Sequence, residues 1–366
     1  MGIKDFSKTF KYNRIVKWSD LNGKTIAVDA MTEIYRASLG AKSTKLLTDN
    51  NGNPTIHISV ILSNIIEMQN NNINAIWVFD FDQNSSENKE FHNPSKLVEL
   101  KARREKREKA HVEIDELEKK EVLFSDSEEE EDYKNNKQNK INKLEKRTFR
   151  ITQEQINEIK LILNILHIKY LESPKGFEGE HIAAYLSSNN IVDGVYSGDT
   201  DPIPFGAKVL YRKNTRDKKI YEYKQEDILE QIVESNNTIN NPTILDIQKI
   251  CSILGSDFSK RTKGVGPKTV LKKINTIDLA DDQKLAMIEF SKKPNIEEIK
   301  INNEEKKQFT NCDIDSLLDW LVNEKSFTRQ RVQKWFDKIV EKDADGNYKP
   351  KVISKIIKTR KKKGYL

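Results

Sequence analysis

The chain has 366 residues, of which 33% are charged, and a formal net charge of +6. That length permits a sizeable core in one or two domains, and no apolar run approaches the roughly 20 residues that a membrane-spanning helix requires. Two cysteines form neither a disulfide framework nor a zinc pattern, which excludes a disulfide-rich secreted scaffold and predicts a reducing, intracellular compartment. Basic residues crowd into 96–109, 260–273 and 349–363. Such clusters indicate a polyanionic partner, most simply nucleic acid, although any single run is equally typical of a solvated helix face.

The first part of the chain alternates between strands and helices. Residues 24–29 and 74–80 are apolar segments that each end in a carboxylate, and residues 58–68 between them have the apolar spacing of a helix. In a parallel α/β sheet the carboxyl ends of neighbouring strands lie side by side, and binding sites form there. We therefore expect Asp29 and Asp80 to meet at one edge of a sheet, provided that their strands are neighbours.

The middle of the chain is strongly polar. Residues 82–93 are predicted to form a loop. Residues 96–120 are predicted to form a long charged helix, which has too little apolar face to join the core and should project outward. Residues 125–142 contain an acidic block and several asparagines, a composition typical of disorder.

A second group of carboxylates lies at 178–201. Glu178 and Glu180 open a predicted helix, and an apolar strand at 191–196 leads to Asp199 and Asp201. Four carboxylates so close together repel one another unless a cation neutralises them, and oxygen-only ligands suit Mg²⁺ or Mn²⁺. A lone Asp-x-Asp is usually a solvated turn, and acidic residues in a first helical turn ordinarily complement the helix dipole. The accumulation of carboxylates favours a metal site here.

The last third of the chain is mostly helical in pattern, after two paired strands at 209–211 and 220–223. Two helices flank a glycine-rich turn, an arrangement typical of a helix-hairpin-helix that grips the DNA backbone. Its glycines let backbone N–H groups approach a phosphate, and neighbouring lysines add positive charge. The candidate DNA-binding residues of this module are Lys263, Gly264, Gly266, Lys268 and Lys272.

In combination, these motifs resemble those of the flap endonuclease family, the XPG-type structure-specific 5′ nucleases. The resemblance runs from Met1 to about Ile339, apart from much of 82–148. Its motifs, in chain order, are Val28-Asp29-Ala30 with Ile34-Tyr35, Val78-Phe79-Asp80, Glu178 with Glu180, Asp199 with Asp201, and Leu254-Gly255-Ser256-Asp257-Phe258.

Apart from the acidic insertion at 126–132, which enlarges the arch region, the sequence departs from the family pattern in two places. Phe81 and Asp82 follow the second motif where the family has glycine, and Pro202 and Pro204 follow Asp201. Because proline is tolerated in the first turn of a helix, we expect an altered loop and an intact site.

The resemblance implies an α/β fold with a central, mostly parallel sheet flanked by helices, a PIN-like nuclease core. It also implies a helical arch and a helix–two-turn–helix DNA-binding module. The expected domains are a nuclease core formed by 1–95 and 149–235, an arch with a charged, partly disordered insertion at 96–148, the DNA-binding module at 236–293, and C-terminal helices with a basic tail at 294–366.

The resemblance further implies the roles of the site residues. Lys96 and Arg103 would contact the scissile phosphate at the base of the arch, where a solvated arch helix is the alternative. Tyr35 would stack on a base, and a core tyrosine is its alternative. Two Mg²⁺ ions, with Mn²⁺ as a substitute, would be held directly or through water, and K⁺ is a candidate ion at the helix–two-turn–helix. The implied metal ligands are Asp29, Asp80, Glu178, Glu180, Asp199, Asp201 and Asp257.

The implied activity is 5′ flap endonuclease with 5′→3′ exonuclease activity on branched or flapped DNA, in replication and repair. The expected form is a monomer in the nucleus or another site of DNA replication. No clear sliding-clamp box is found, since Gln333, Trp335 and Phe336 belong to a predicted packing helix. The alternatives are a DNA-junction binding protein with impaired catalysis and a bubble-cutting or exonuclease member of the same superfamily.

Overall fold

The computed structural model describes residues 2–40, 47–81, 94–120, 127–214, 217–236, 238–299, 311–342 and 348–351. Its strands are β1 Arg14–Val16, β2 Thr25–Asp29, β3 Asn74–Phe79, β4 Lys169–Glu172, β5 Gly194–Ser197, β6 Val209–Lys213, β7 Ile220–Lys224, β8 Val340–Lys342 and β9 Tyr348–Pro350. Its α-helices are α1 Phe6–Thr9, α2 Ala30–Gly40, α3 Ile56–Asn70, α4 Pro94–Lys119, α5 Ser127–Thr148, α6 Gln153–Ile165, α7 Gly179–Ser188, α8 Gln225–Ser235, α9 Ile244–Leu254, α10 Pro267–Lys273, α11 Asp281–Ser291, α12 Asn311–Asp319 and α13 Arg329–Ile339.

The main sheet has the strand order β1-β7-β6-β5-β2-β3-β4. β2 pairs in parallel with β3 on one side and with β5 on the other, and Val28 lies opposite both Trp77 and Tyr196. Within this sheet, the antiparallel pairings are those of β7 with its neighbours β6 and β1, and β8 and β9 form a separate antiparallel pair. The predicted mostly parallel sheet is confirmed, and the two strands expected to be neighbours do pair.

Helices cover both faces of this sheet. Successive side chains of a strand point to opposite faces, so Trp77 and Phe79 of β3 join one core while Ile76 and Val78 join the other. The first core includes side chains of α3, α6 and α13, and the second includes side chains of α7, α9 and α10. Every residue of β2 is buried, as expected of a parallel strand covered on both faces.

The charged middle of the chain forms an antiparallel helical hairpin. The predicted helix at 96–120 is confirmed as α4, but the structure contradicts the predicted disorder at 127–142, because α5 begins at Ser127. The predicted loop at 82–93 and residues 125–126 lie outside the described residues. Ala110, Ile141 and Leu144 are buried in the hairpin. Lys140 forms an ion pair with Glu113 at 2.8 Å. A few apolar residues on a facing helix therefore stabilise a segment whose composition alone suggested disorder.

The helix at the C-terminal end packs as expected. α13 buries Val332, Trp335, Phe336 and Ile339 against the first core, which confirms the packing helix predicted there. Among the helices that the structure describes, each is too short or too polar to cross a lipid bilayer.

Candidate active site

Three neighbouring parallel strands bring carboxylates to one edge of the sheet. Asp29 is the last residue of β2, Asp80 follows β3, and Asp199 and Asp201 follow β5. Because these strands lie side by side and run in the same direction, their carboxyl ends meet. The strand order at this edge is therefore what gathers the acidic residues of three separate motifs.

Helix α7 adds two glutamates to the same edge. Glu178 is its N-cap and Glu180 lies in its first turn. The backbone N–H of Gly179 donates to Asp80 Oδ1 at 2.6 Å, and a Cβ on Gly179 would lie 3.1 Å from that oxygen and 3.2 Å from the carbonyl oxygen of Val78. The absence of a side chain at Gly179 thus allows α7 to begin directly against β3.

The clustered carboxylates strongly perturb one another. Burial, together with the charges of Glu178 and Asp29, raises the pKa of Asp80 to about 7, against the hydrogen bond from Gly179. Burial also raises the pKa of Glu180 and of Asp201 well above their ordinary values, with Asp199 the strongest charged neighbour of both. A buried cluster of charged carboxylates is energetically unfavourable unless nearby positive charge compensates it.

Two cations from α4 supply part of that charge. Lys96 Nζ lies 3.2 Å from Glu178 Oε1 and 3.2 Å from Asp257 Oδ2. Two helical turns further on, Arg103 donates to the same Asp257 oxygen at 2.8 Å. Burial would lower the pKa of Lys96, but Glu178 and Asp257 outweigh burial and raise it. The structure therefore joins the base of the helical hairpin to the carboxylate cluster.

The donor set fits divalent cations that prefer oxygen. Asp201 Oδ1 is buried and has no hydrogen-bond partner among the described residues, and carboxylate oxygens are the ligands that Mg²⁺ and Mn²⁺ prefer. In the described part of the chain, no three acidic side chains approach closely enough to share one ion. Lys96 and Arg103 are the counterions of the cluster in this structure.

The proline-containing loop leaves Asp201 inside the cluster. Asp201 is 4% exposed. After it, the N–H of Ala207 donates to the carbonyl of Pro202 at 2.8 Å, and Gln248 donates to the carbonyl of Pro204 at 2.9 Å. The two prolines thus form a closed turn held by α9.

Tyr35 lies on α2, partly buried against the first core. Its hydroxyl accepts from the N–H of Ile151 at 3.3 Å, and its ring meets the ring of Phe149 edge-on at 6.2 Å. The structure thus gives Tyr35 packing contacts, and its stacking on a base stays a prediction.

The predicted DNA-binding turn connects α9 to α10. Gly264 has a φ of +79°, a left-handed conformation that favours glycine, and a Cβ there would meet open space. Gly266 is the N-cap of α10. The lysines at 263, 268 and 272 are exposed. Contact of this turn with DNA stays a prediction.

Sequence reasoning missed residues that support the cluster. Ser197, Thr200 and Gly2 contact its carboxylates or their loop. Gly2 belongs to the Met-Gly-Ile start of the resemblance, but a glycine or a hydroxyl carries no chemical signal of its own. Only the packing of the N-terminal segment and the strand pairing reveal them.

Two family models match this chain, the XPG N-terminal domain over residues 1–110 and the XPG I-region over residues 167–257. Flap endonuclease 1 of Picrophilus torridus is 30% identical, with 93% of this chain and 95% of that protein covered. Flap endonuclease 1 of Methanobrevibacter smithii is 28% identical, with 93% and 96% covered.

Solved structures share the fold. Flap endonuclease-1 from Methanococcus jannaschii superposes with a TM-score of 0.62 at 22% identity, covering 92% of this chain and 97% of that one. The catalytic core of Rad2 in complex with DNA substrate superposes with a TM-score of 0.59 at 17% identity, covering 92% and 99%. Because it is 30% identical to a flap endonuclease 1 over nearly the whole of both chains and matches both XPG family models, this protein belongs to the flap endonuclease family of XPG-type nucleases.

Proposed function

We propose that this protein is a structure-specific 5′ flap endonuclease, with 5′→3′ exonuclease activity, that hydrolyses DNA phosphodiester bonds with two divalent cations. The observation that carries the proposal is the gathering of carboxylates from β2, β3, β5 and α7 at one sheet edge, beneath Lys96 and Arg103 of α4. Membership of the family supports the nuclease class. Mg²⁺ is the proposed metal, with Mn²⁺ as a substitute.

The metal ligands follow from the position of each carboxylate. Asp80, Glu178, Glu180 and Asp199 are the principal ligands in this proposal, and Asp201 and Asp257 complete the set, in part through water. Asp29 also completes the set; both of its oxygens accept a hydrogen bond, from Thr32 and Ser197, and each keeps a lone pair for a direct or water-mediated contact. When bound, two ions of this kind supply an activated water, neutralise phosphate charge and stabilise the leaving oxygen.

Lys96 and Arg103 would recognise the scissile phosphate. In the structure, Glu178 and Asp257 form ion pairs with these two side chains. A phosphate at the base of the hairpin would accept hydrogen bonds from Lys96 and Arg103 in place of those carboxylates. Preorganised donors of this kind stabilise charge that develops in the transition state.

The preference for branched DNA would come from two separate DNA-binding sites. The α4–α5 hairpin would admit a single strand, with Tyr35 stacking on a base near the cut. The turn between α9 and α10 would hold the backbone of one duplex arm. Such contacts go to phosphates, so the sequence preference should be weak.

The parts of the chain divide accordingly in this proposal. Residues 1–95 and 149–235 form the nuclease core, 96–148 the arch, 236–293 the DNA-binding module, and 294–366 the C-terminal helices and tail. The protein would act as a monomer, in the nucleus or another site of DNA replication.

Cleavage of a 5′-labelled double-flap DNA in Mg²⁺, with an EDTA control, tests the proposal. A discrete product cut near the flap junction supports a flap endonuclease. A ladder of short products indicates an exonuclease member of the superfamily, and preferential cutting of a bubble substrate indicates a bubble-cutting one. Tight flap binding without any cut would favour a junction-binding protein and contradict the proposal.

A further inference from the structure

A buried hydroxyl connects two of the acidic motifs. Ser197 is the last residue of β5 and is fully buried. Its Oγ donates to Asp29 Oδ2 at 2.8 Å and accepts from the backbone N–H of Asp199 at 3.0 Å. One hydroxyl therefore contacts the carboxylate at the end of β2 and the backbone of the loop that follows β5.

The direction of these two bonds is fixed by chemistry. A serine hydroxyl has one proton and two lone pairs. The N–H of Asp199 can only donate, so it must meet a lone pair of Ser197. The single proton of Ser197 is then left for Asp29, which fixes the orientation of the carboxylate relative to the peptide at Asp199.

The other partners of these groups make the arrangement rigid. The second oxygen of Asp29 accepts from the N–H of Thr32 at 3.0 Å. The Gly198–Asp199 peptide, whose N–H donates to Ser197, is also held at its carbonyl, since Arg212 Nε donates to the carbonyl oxygen of Gly198 at 3.2 Å. Because β2 and β5 pair in parallel up to Val28 and Tyr196, the hydroxyl extends this register beyond the last backbone pair.

We infer that Ser197 is a positioning residue that fixes the separation of Asp29 and Asp199, and hence the affinity of the site for divalent cations. The inference rests on the proposed function, because it takes both aspartates to hold cations directly or through water. Groups that orient metal ligands typically contribute about 10- to 100-fold to metal affinity. Ser197 itself would touch neither DNA nor the reacting atoms.

The test compares Ser197→Ala with Ser197→Thr, which keeps the hydroxyl. The matched control is Ser187→Ala, because Ser187 is also buried and its Oγ also accepts a backbone N–H, from Lys208 at 3.1 Å, but it forms no hydrogen bond with a carboxylate among the described residues. The first readout is Mn²⁺ affinity of the DNA-free protein, measured by calorimetry. The second is the Mg²⁺ dependence of single-turnover cleavage.

We expect Ser197→Ala to weaken Mn²⁺ binding by about 10- to 100-fold and to shift cleavage to higher Mg²⁺, with much of the rate recovered at saturation. Ser197→Thr and Ser187→Ala should bind Mn²⁺ like the wild type. If Ser197→Ala does not fold, Ser197→Cys takes its place, since it keeps the size while a thiol is a weak donor.

Two results would overturn the inference. One is unchanged Mn²⁺ affinity in Ser197→Ala or its Cys replacement, and the other is an equal loss in Ser187→Ala, which would indicate a general packing effect. A wild-type protein that neither binds Mn²⁺ nor cuts flap DNA would instead contradict the proposed function. The two failures are therefore distinguishable.

Discussion

The backbone N–H of Ile3 donates to Thr200 Oγ1 at 3.0 Å, which places the N-terminal segment against the loop between Asp199 and Asp201. The next residues continue to the other side of the site, where the N–H of Lys4 donates to the carbonyl of Gly255 at 2.9 Å. Residues 2–5 therefore link the loop after β5 to the turn that carries Asp257. Substitutions in this segment should disturb the carboxylates although it supplies no ligand.

Gly2→Ala tests this link most directly. Gly2 has a φ of +82°, and a Cβ there would lie 1.6 Å from Asp199 Oδ1. Since displacement of a catalytic group by about 1 Å can cost about 100-fold in rate, we expect a loss of that order in single-turnover cleavage. The matched control is Gly52→Ala, at a φ of +85° with nothing near its Cβ. Equal losses in both variants would attribute the effect to backbone strain.

The double substitution Asp199→Asn with Asp201→Asn should abolish cleavage and preserve flap binding. The amides keep the shape of the loop but remove two charges that would hold the cations. Gel-based cleavage and fluorescence anisotropy measure the two properties. Asp193→Asn is the control, because Asp193 lies at the opposite end of β5 and accepts from the N–H of Thr25. Retained turnover in the double variant would contradict the metal assignment.

Mg²⁺ should raise the melting temperature of the DNA-free protein. The clustered carboxylates repel one another, and a ligand that binds only the folded state stabilises it. Scanning calorimetry across a Mg²⁺ titration measures the shift, with KCl at matched ionic strength as the control. The melting temperature of the double variant, Asp199→Asn with Asp201→Asn, should rise less with Mg²⁺. A melting temperature that does not respond to Mg²⁺ in the wild type would count against the cluster as a metal site.

Lys96→Met and Arg103→Met should each lower the single-turnover rate, by about 100- to 1,000-fold if each donor stabilises transition-state charge. Arg104→Met removes the same charge from an exposed neighbour on α4 and serves as the control. Measurement at saturating enzyme separates the chemical step from DNA affinity. If all three variants lose rate equally, the charge of the helix as a whole is responsible.

The pH dependence of stability should include a contribution from Glu158. Burial would raise the pKa of its carboxyl, but hydrogen bonds with His57 and Lys325 outweigh burial and lower it. A lowered folded-state pKa means that the stabilisation is complete above the ordinary pKa of about 4.3 and is lost as pH falls through the folded value. We expect Glu158→Gln to be less stable near neutral pH and to lose less stability on acidification. Urea midpoints of both proteins between about pH 6 and pH 3 measure this, and parallel curves would exclude the contribution.

The sequence by itself determined the elements and the chemistry of the site. Residues 24–29 and 74–80 are apolar enough to be strands buried on both faces, and each ends in an acid, so a sheet edge bearing carboxylates followed from pattern alone. The order of the acidic motifs along the chain also indicated the family to which the protein belongs. Composition wrongly predicted disorder for residues 127–142, because the charged helix that they form is stabilised by the helix that faces it in the hairpin.

Only the tertiary structure decided which groups support the carboxylates. Ser197 becomes significant because β5 pairs with β2, and Gly2 because the N-terminal segment lies on the loop near Thr200. The pairing of Lys96 and Arg103 with Asp257 likewise depends on where α4 meets the core. Such contacts join residues far apart in the chain. A local pattern records the propensity of a segment, whereas these contacts arise only when separate segments pack together.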